Sequence, residues 1–153
     1  MHLEGSLLRL MQILRRLIFK MELRKPTIVD KVWGREDHIA NFKDKGYCGK
    51  LLVLKEGHRC SIHRHGKDET FYVLKGRVFM ELEGDNGEME YRILVPGNVL
   101  DIFDKKWHRF SGLEDSVIVE FSTPDEESER KVDSGKIPDF ENWKKEIEGK
   151  YGR

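Results

Sequence analysis

The stretch Gly57-His-Arg-Cys-Ser-Ile-His63-Arg-His65-Gly-Lys-Asp-Glu69-Thr-Phe-Tyr-Val-Leu-Lys-Gly76 decides how the rest of this 153-residue chain is read. In an extended strand successive side chains point to opposite faces, so His63 and His65, two apart, project side by side. The Gly66-Lys67-Asp68 turn returns the chain, and Glu69, opening the apolar run Phe71-Tyr72-Val73-Leu74, can supply a carboxylate oxygen from the neighbouring strand. Gly57 and Gly76 bracket the unit where the chain must change direction sharply. Two imidazoles and a carboxylate converging in this way read as a metal site. A fourth ligand should come from a strand that returns to the same pocket from far along the chain, and His108, after Pro96-Gly97 and one apolar strand, is the candidate.

Working outward, the segment from Lys50 to Thr123 alternates charged residues with Val, Ile, Leu, Phe and Tyr, the pattern of half-buried strands. The spacing predicts strands at Leu51–Leu54, around His63 and Glu69, and at Arg77–Glu83. The last is joined by Gly84-Asp85-Asn86-Gly87 to Glu90–Leu94 as a hairpin. Further strands follow at Asn98–Phe103, His108–Ser111 and Ser116–Ser122. About eight short strands with no inserted helix make residues 46–123 an all-β sandwich or closed barrel. On the last strand Val117, Val119 and Phe121 form the apolar face and leave Glu120 on the opposite one, so no proton-transfer base is assigned. Cys60 falls at opposite strand parity to His63 and is expected to point away from the metal.

Lys plus Arg and Asp plus Glu number 28 each, so no basic field attracts nucleic acid, and a small molecule is the expected partner. Two cysteines, Cys48 and Cys60, are too few for a disulfide scaffold and suggest a reduced, cytoplasmic protein. Residues 1–21 form a helical extension: from Ser6 to Met21 the residues Arg9, Gln12, Arg16 and Lys20 recur at helical spacing, giving a basic amphipathic helix. It is too charged to span a bilayer, which takes about 20 predominantly apolar residues. It is read as packing on the barrel or on a second subunit, as lying on a membrane surface, or as sequence upstream of a start at Met21. Residues 22–45 are an extended lead-in that could pair at a sheet edge, and the run from Pro124 to Gly135 is expected to be a solvated loop. Beyond it Pro138 and Asp139 mark a helix start, with Phe140, Trp143, Ile147 and Tyr151 on the face that packs on the barrel.

Gly57, His63, His65, Glu69 and Gly76 match the first cupin motif position by position, and Pro96-Gly97 with His108 resembles the second, at a longer interval than its tight form. The chain therefore resembles a single-domain cupin, which implies a jelly roll and a divalent metal held by His63, His65, Glu69 and His108. Zinc, manganese, iron, nickel and cobalt all suit such ligands, and four protein ligands leave open positions only on a five- or six-coordinate ion. Trp33-Gly34-Arg35-Glu36, Tyr47-Cys48-Gly49-Lys50, Lys67 and Glu120-Phe-Ser122-Thr123 with Arg130 resemble cupins of the mannose-6-phosphate and lyxose isomerase kind, over roughly residues 32–131. That resemblance implies aldose–ketose isomerisation of a sugar or sugar phosphate, with Lys50 and Lys67 contacting its hydroxyls or phosphate. Cupins also host iron- or nickel-dependent dioxygenases and non-catalytic sugar-binding or regulatory proteins, and both remain as alternatives. Exposed apolar sheet faces point to a homodimer.

Overall fold

A computed structural model describes residues 21–152 together with Arg9 and Met11. The helix expected between Ser6 and Met21 otherwise lies outside the described residues. Thirteen strands and one helix follow in the described part: β1 (Thr27–Lys31), β2 (Gly34–Phe42), β3 (Tyr47–Leu54), β4 (His58–Arg59), β5 (Ile62–His65), β6 (Glu69–Lys75), β7 (Val78–Glu83), β8 (Met89–Leu94), β9 (Val99–Ile102), β10 (His108–Gly112), β11 (Ser116–Ser122), β12 (Ser128–Val132), β13 (Gly135–Lys136) and α1 (Phe140–Tyr151). No helix among the described residues is long and apolar enough to cross a membrane.

The strands form two antiparallel sheets facing each other, the jelly roll that the family resemblance implies. One sheet runs β1-β2-β3-β11-β6-β9. In the other, β10 pairs on one side with β4 and β5, which are flanked by β13 and β12, and on the other side with β7, which pairs with β8. The β7–β8 hairpin forms where expected, with Val78 opposite Leu94 and Glu83 opposite Met89.

Strand alternation fills the space between the sheets. Leu52 and Leu54 of β3, Phe71 and Val73 of β6, Met80 of β7, Phe110 of β10 and Ile118 of β11 share one core cluster with Trp33 and Cys60. Each such side chain contributes about 1.5–3 kcal/mol by leaving water. Gly76 enables the return from β6: its φ is 79°, and a Cβ there would stand 2.3 Å from Ser116 Oγ and 2.6 Å from the Asp115 carbonyl. On the outer side of the second sheet Trp143, Ile147 and Tyr151 of α1 pack on Phe79 and Tyr91, the docking expected for this helix.

Two expectations change. The β-structure reaches beyond residues 46–123: β1 and β2 extend the first sheet, β1 taking the edge position the lead-in was expected to allow, and β12 and β13 border the second. The signal in β2 is masked because its inward residues Glu36 and His38 are polar and face a cavity rather than the apolar core. The run after Thr123 is likewise more than a solvated loop, since β12 pairs with β5 along Ser128–His65 and Arg130–His63.

Candidate metal centre and cavity

The two sheets enclose a cavity of about 450 Å³, and the four residues expected as ligands meet in its wall. β5 presents His63 and His65, β10 sets His108 directly opposite His63, and β6 brings Glu69 from the other sheet. Ring centroids are 4.3 Å apart for His63–His108, 5.1 Å for His65–His108 and 5.5 Å for His63–His65. One nitrogen from each of the three rings lies within 4.8 Å of the others. Glu69 Oε2 is 3.2 Å from His65 Nε2 and 3.3 Å from His108 Nε2.

Hydrogen bonding sets which ring nitrogens face inward. A carbonyl can only accept, so His63 Nδ1–H donates to Ser61 O at 2.9 Å and His108 Nδ1–H donates to Lys106 O at 2.9 Å. Both rings thereby turn an Nε2 lone pair toward the cluster, the tautomer that metal-bound imidazoles require. Burial, and then the neighbouring His108, push His63 down to about 4, so it is neutral at neutral pH. Burial works to raise the Glu69 carboxyl, but its neighbours, with the Lys67 ammonium 3.0 Å away, hold it well below the usual carboxylate range. Glu69 Oε2 is nonetheless buried without a hydrogen-bond partner, as is His65 Nδ1. An ionised oxygen facing imidazole lone pairs is unfavourable as it stands and satisfied by a cation among them, so these residues fit a divalent metal.

Beside this cluster lies a network of alternating charge. Lys67 Nζ is 3.0 Å from Glu69 Oε1, 2.6 Å from Glu120 Oε1 and 3.0 Å from Asp125 Oδ1. Asp125 Oδ1 also accepts from Lys50 Nζ at 2.7 Å, and Lys50 Nζ reaches Glu36 Oε2 at 3.3 Å. Glu36 Oε2 in turn lies 2.6 Å from His38 Nε2. Burial would lower both lysines, but Glu120 first, then Glu69 and Asp125 for Lys67 and Asp125 and Glu36 for Lys50, raise both above the ordinary lysine value. Burial would raise Asp125 and Glu36 too, yet Lys50 above all holds each below the usual range. Cys48, Glu120 and Asp125 also come together, but the Lys50 and Lys67 ammoniums already supply the positive charge there.

Lys50 and Lys67 both line the cavity, and Lys67, although it sits in a turn, is only 6 % exposed. Cys60 departs from expectation: it belongs to the inner core and the cavity wall, where its Sγ accepts the Phe110 N–H at 3.3 Å. The strand breaks at Cys60 and Ser61, between β4 and β5, so parity cannot be counted across them. Glu120 departs as well. Its parity was read correctly, but the inward face of β11 is the Ser116, Ile118, Glu120 face, and Phe121 points outward with 60 % exposure. Glu36 enters the sequence reading only within the Trp33-Gly34-Arg35-Glu36 stretch, and Asp125 and His38 do not enter it, because polar residues outside the alternating segment of residues 50–123 carry no periodic signal.

A scan against protein-family models finds no match. The D-lyxose/D-mannose isomerase of Thermosediminibacter oceani is 32% identical over an alignment of 123 positions, a match that covers 63% of this chain and 68% of the relative. Among solved structures, oxalate decarboxylase from Bacillus subtilis superposes with a TM-score of 0.60 at 13% identity, covering 72% of this chain and 33% of the other. KdgF from Halomonas superposes with a TM-score of 0.56 at 23% identity, covering 65% and 89%. The chain spans only about a third of the decarboxylase, and at these identities both likenesses concern the fold alone.

Proposed function

The chain belongs to the cupin family that includes this isomerase, and on that premise we propose that it is a metal-dependent aldose–ketose isomerase acting on a small sugar. The observation that carries the reading is the convergence of His63, His65, His108 and Glu69 in the wall of a cavity of sugar-accommodating size. A divalent cation bound by these four residues would act as a Lewis acid toward a sugar carbonyl oxygen and the adjacent hydroxyl. The protein's own part is to hold the sugar and exclude bulk water. Lys50, kept as an ammonium by its two carboxylate neighbours, has a third N–H to offer a hydroxyl oxygen, Glu36 and Asp125 offer acceptors to hydroxyl protons, and Lys67, its three protons taken by Glu69, Glu120 and Asp125, holds those carboxylates around the sugar.

The charge pairing favours a free sugar over a phosphorylated one. Glu36 engages Lys31 and Lys50, Asp125 engages Lys50 and Lys67, and Glu69 and Glu120 engage Lys67. A phosphate dianion entering among them would meet lysines already matched by carboxylates.

Both cysteines are free and buried, which supports a reducing, cytoplasmic setting. The outer face of the six-stranded sheet exposes Tyr47, Tyr72, Leu74, Val99 and Phe121, and this apolar face supports a homodimer in which a second copy would cover it. A monomeric mass by light scattering at micromolar concentration would count against it.

The test of the function is elemental analysis of protein purified without chelator or affinity tag. It is followed by assays of neutral aldoses, and of their terminal phosphate esters, with manganese, cobalt, zinc or iron restored. About one metal per chain with interconversion of a neutral aldose and its ketose is the expected result. Bound iron with oxygen consumption and no isomerisation would replace the reading with a dioxygenase, and sugar binding without metal or turnover would replace it with a binding protein.

A further inference from the structure

Every residue of β12 is exposed and none joins the two apolar clusters, yet the strand is pinned along its outward side. Glu129 accepts from Arg64 Nε at 3.0 Å and from Arg64 Nη2 at 2.8 Å. Lys131 Nζ stands 4.0 Å from the centre of the Trp107 ring, and the Arg64 guanidinium 4.7 Å from it. These contacts tie a polar edge strand to β5 and to the residue that precedes β10. Pairing with β5 fixes the other side. Ser128 is opposite His65 and Arg130 is opposite His63, and cross-strand partners share a face, so both project with the ligand histidines and line the cavity.

Arg130 differs from the lysines of the cavity wall. Lys31 is paired with Glu36, Lys50 with Glu36 and Asp125, and Lys67 with Glu69, Glu120 and Asp125. The Arg130 guanidinium makes no hydrogen bond or ion pair among the described residues. It is exposed, so it stands where the cavity meets solvent with its N–H donors open to a ligand. The ligand this implies is uncharged. Apart from the imidazoles, six carboxylates and four cations among the described residues line the cavity, and the deficit of two charges is that of one divalent ion, with no surplus for an anionic substrate. A planar guanidinium suits a neutral polyol, because it can give N–H bonds to two neighbouring hydroxyl oxygens at once.

We propose that Arg130 reads the far end of the sugar and sets a preference for aldohexoses over aldopentoses, an assignment that rests on the isomerase reading. With the C1 and C2 oxygens at His63, His65, His108 and Glu69, the sugar chain runs toward the mouth, where the Arg130 guanidinium donates to the last hydroxyl oxygens. A hexose brings one carbinol more than a pentose into that reach, and a pentose leaves part of the guanidinium to water. Arg130 takes no part in the proton transfer, so its contribution falls on binding and not on the chemical step.

The experiment compares wild type, Arg130→Met and Arg130→Lys in their metal-loaded forms, on an aldohexose and the aldopentose that matches it in configuration from C2 to C4. It measures metal content, kcat, and the KM of each sugar, or the inhibition constant of a sugar that is not turned over. Arg130→Met should keep its metal, and its hexose KM should rise about ten-fold more than its pentose KM, with kcat falling less than KM rises. Arg130→Lys should restore only part of the hexose preference, since a point charge cannot hold two hydroxyls in one plane. A hexose-to-pentose KM ratio in Arg130→Met within about two-fold of wild type, or a loss that falls on kcat alone, overturns the assignment. So does a wild type that binds the pentose more tightly than the hexose. Metal-loaded wild type that interconverts no aldose removes the isomerase reading and this assignment with it, whereas active wild type beside an unchanged ratio in Arg130→Met removes the assignment alone.

Discussion

Replacing Lys67 by Met removes one ammonium from among three carboxylates while nearly conserving side-chain length. Two of those carboxylates, Glu69 and Glu120, are 3 % and 4 % exposed, so water cannot take the ammonium's place. Asp125 keeps Lys50 and is partly open to solvent, so its share is small. Removing one partner of a buried ion pair costs about 3–5 kcal/mol, because the other charge stays buried and unpaired. In a chain of this length that amounts to a drop in Tm on the order of 10 °C. The loss must also depend on pH. In the wild type Glu69 is held below its ordinary pKa, so it contributes stability that is present above the unfolded carboxylate pKa of about 4.3 and lost as pH falls below it. Without Lys67 part of that contribution is lost and Glu69 protonates more readily, so the gap between wild type and variant is widest at neutral pH and narrows toward pH 4. Urea unfolding of chelator-treated proteins at pH 7 and pH 5 measures both effects. The double variant with Glu120→Gln should recover part of the loss, since it removes one of the two stranded charges. A Lys67→Met variant within about 1 kcal/mol of wild type at pH 7, or equally destabilised at both pH values, would refute the account of this network.

Other outcomes follow from the same geometry. His108→Ala should lower bound metal well below one per chain, and chelation of the wild type should cost about 2.7 kcal/mol relative to protein in metal at 100 times its Kd, read by calorimetry. Gly76→Ala should destabilise more than Gly97→Ala. Both have positive φ, but a Cβ at Gly76 also meets Ser116 and Asp115 whereas nothing lies within 4 Å of one at Gly97; paired urea curves decide this. Cys60, whose thiol burial pushes up to about 12, should resist a maleimide at pH 8 in the native protein and react on unfolding, as followed by mass spectrometry.

The candidate ligands were legible in sequence because local rules suffice for them. His63 and His65 share one short strand, Glu69 follows one tight turn, and His108 sits behind a turn that announces itself with Pro96-Gly97. Glu120 shows where such rules end. Alternation divides β11 into two faces but does not say which one is inside, and the outward Val117, Val119 and Phe121 look more like core than the inward Ser116, Glu120 and Ser122. Only the sheet opposite settles that. β2 was obscured for the same reason, since cavity walls reverse the usual equation of inside with apolar. Asp125 lies 58 positions from Lys67 and 75 from Lys50 in a stretch that reads as solvent-facing, and a long-range ion pair leaves no periodic trace.

The carboxylates that raise Lys67 and Lys50 above the ordinary lysine value have a chemical consequence of their own. An amine adds to an aldehyde only through its nitrogen lone pair, and both lysines are held above the ordinary lysine value by the carboxylates around them. An open-chain reducing sugar admitted to this cavity would meet two ammoniums with no electron pair to give. It could be oriented by them yet not captured as an imine, and the same salt bridges that hold the cavity together would guard its interior against glycation.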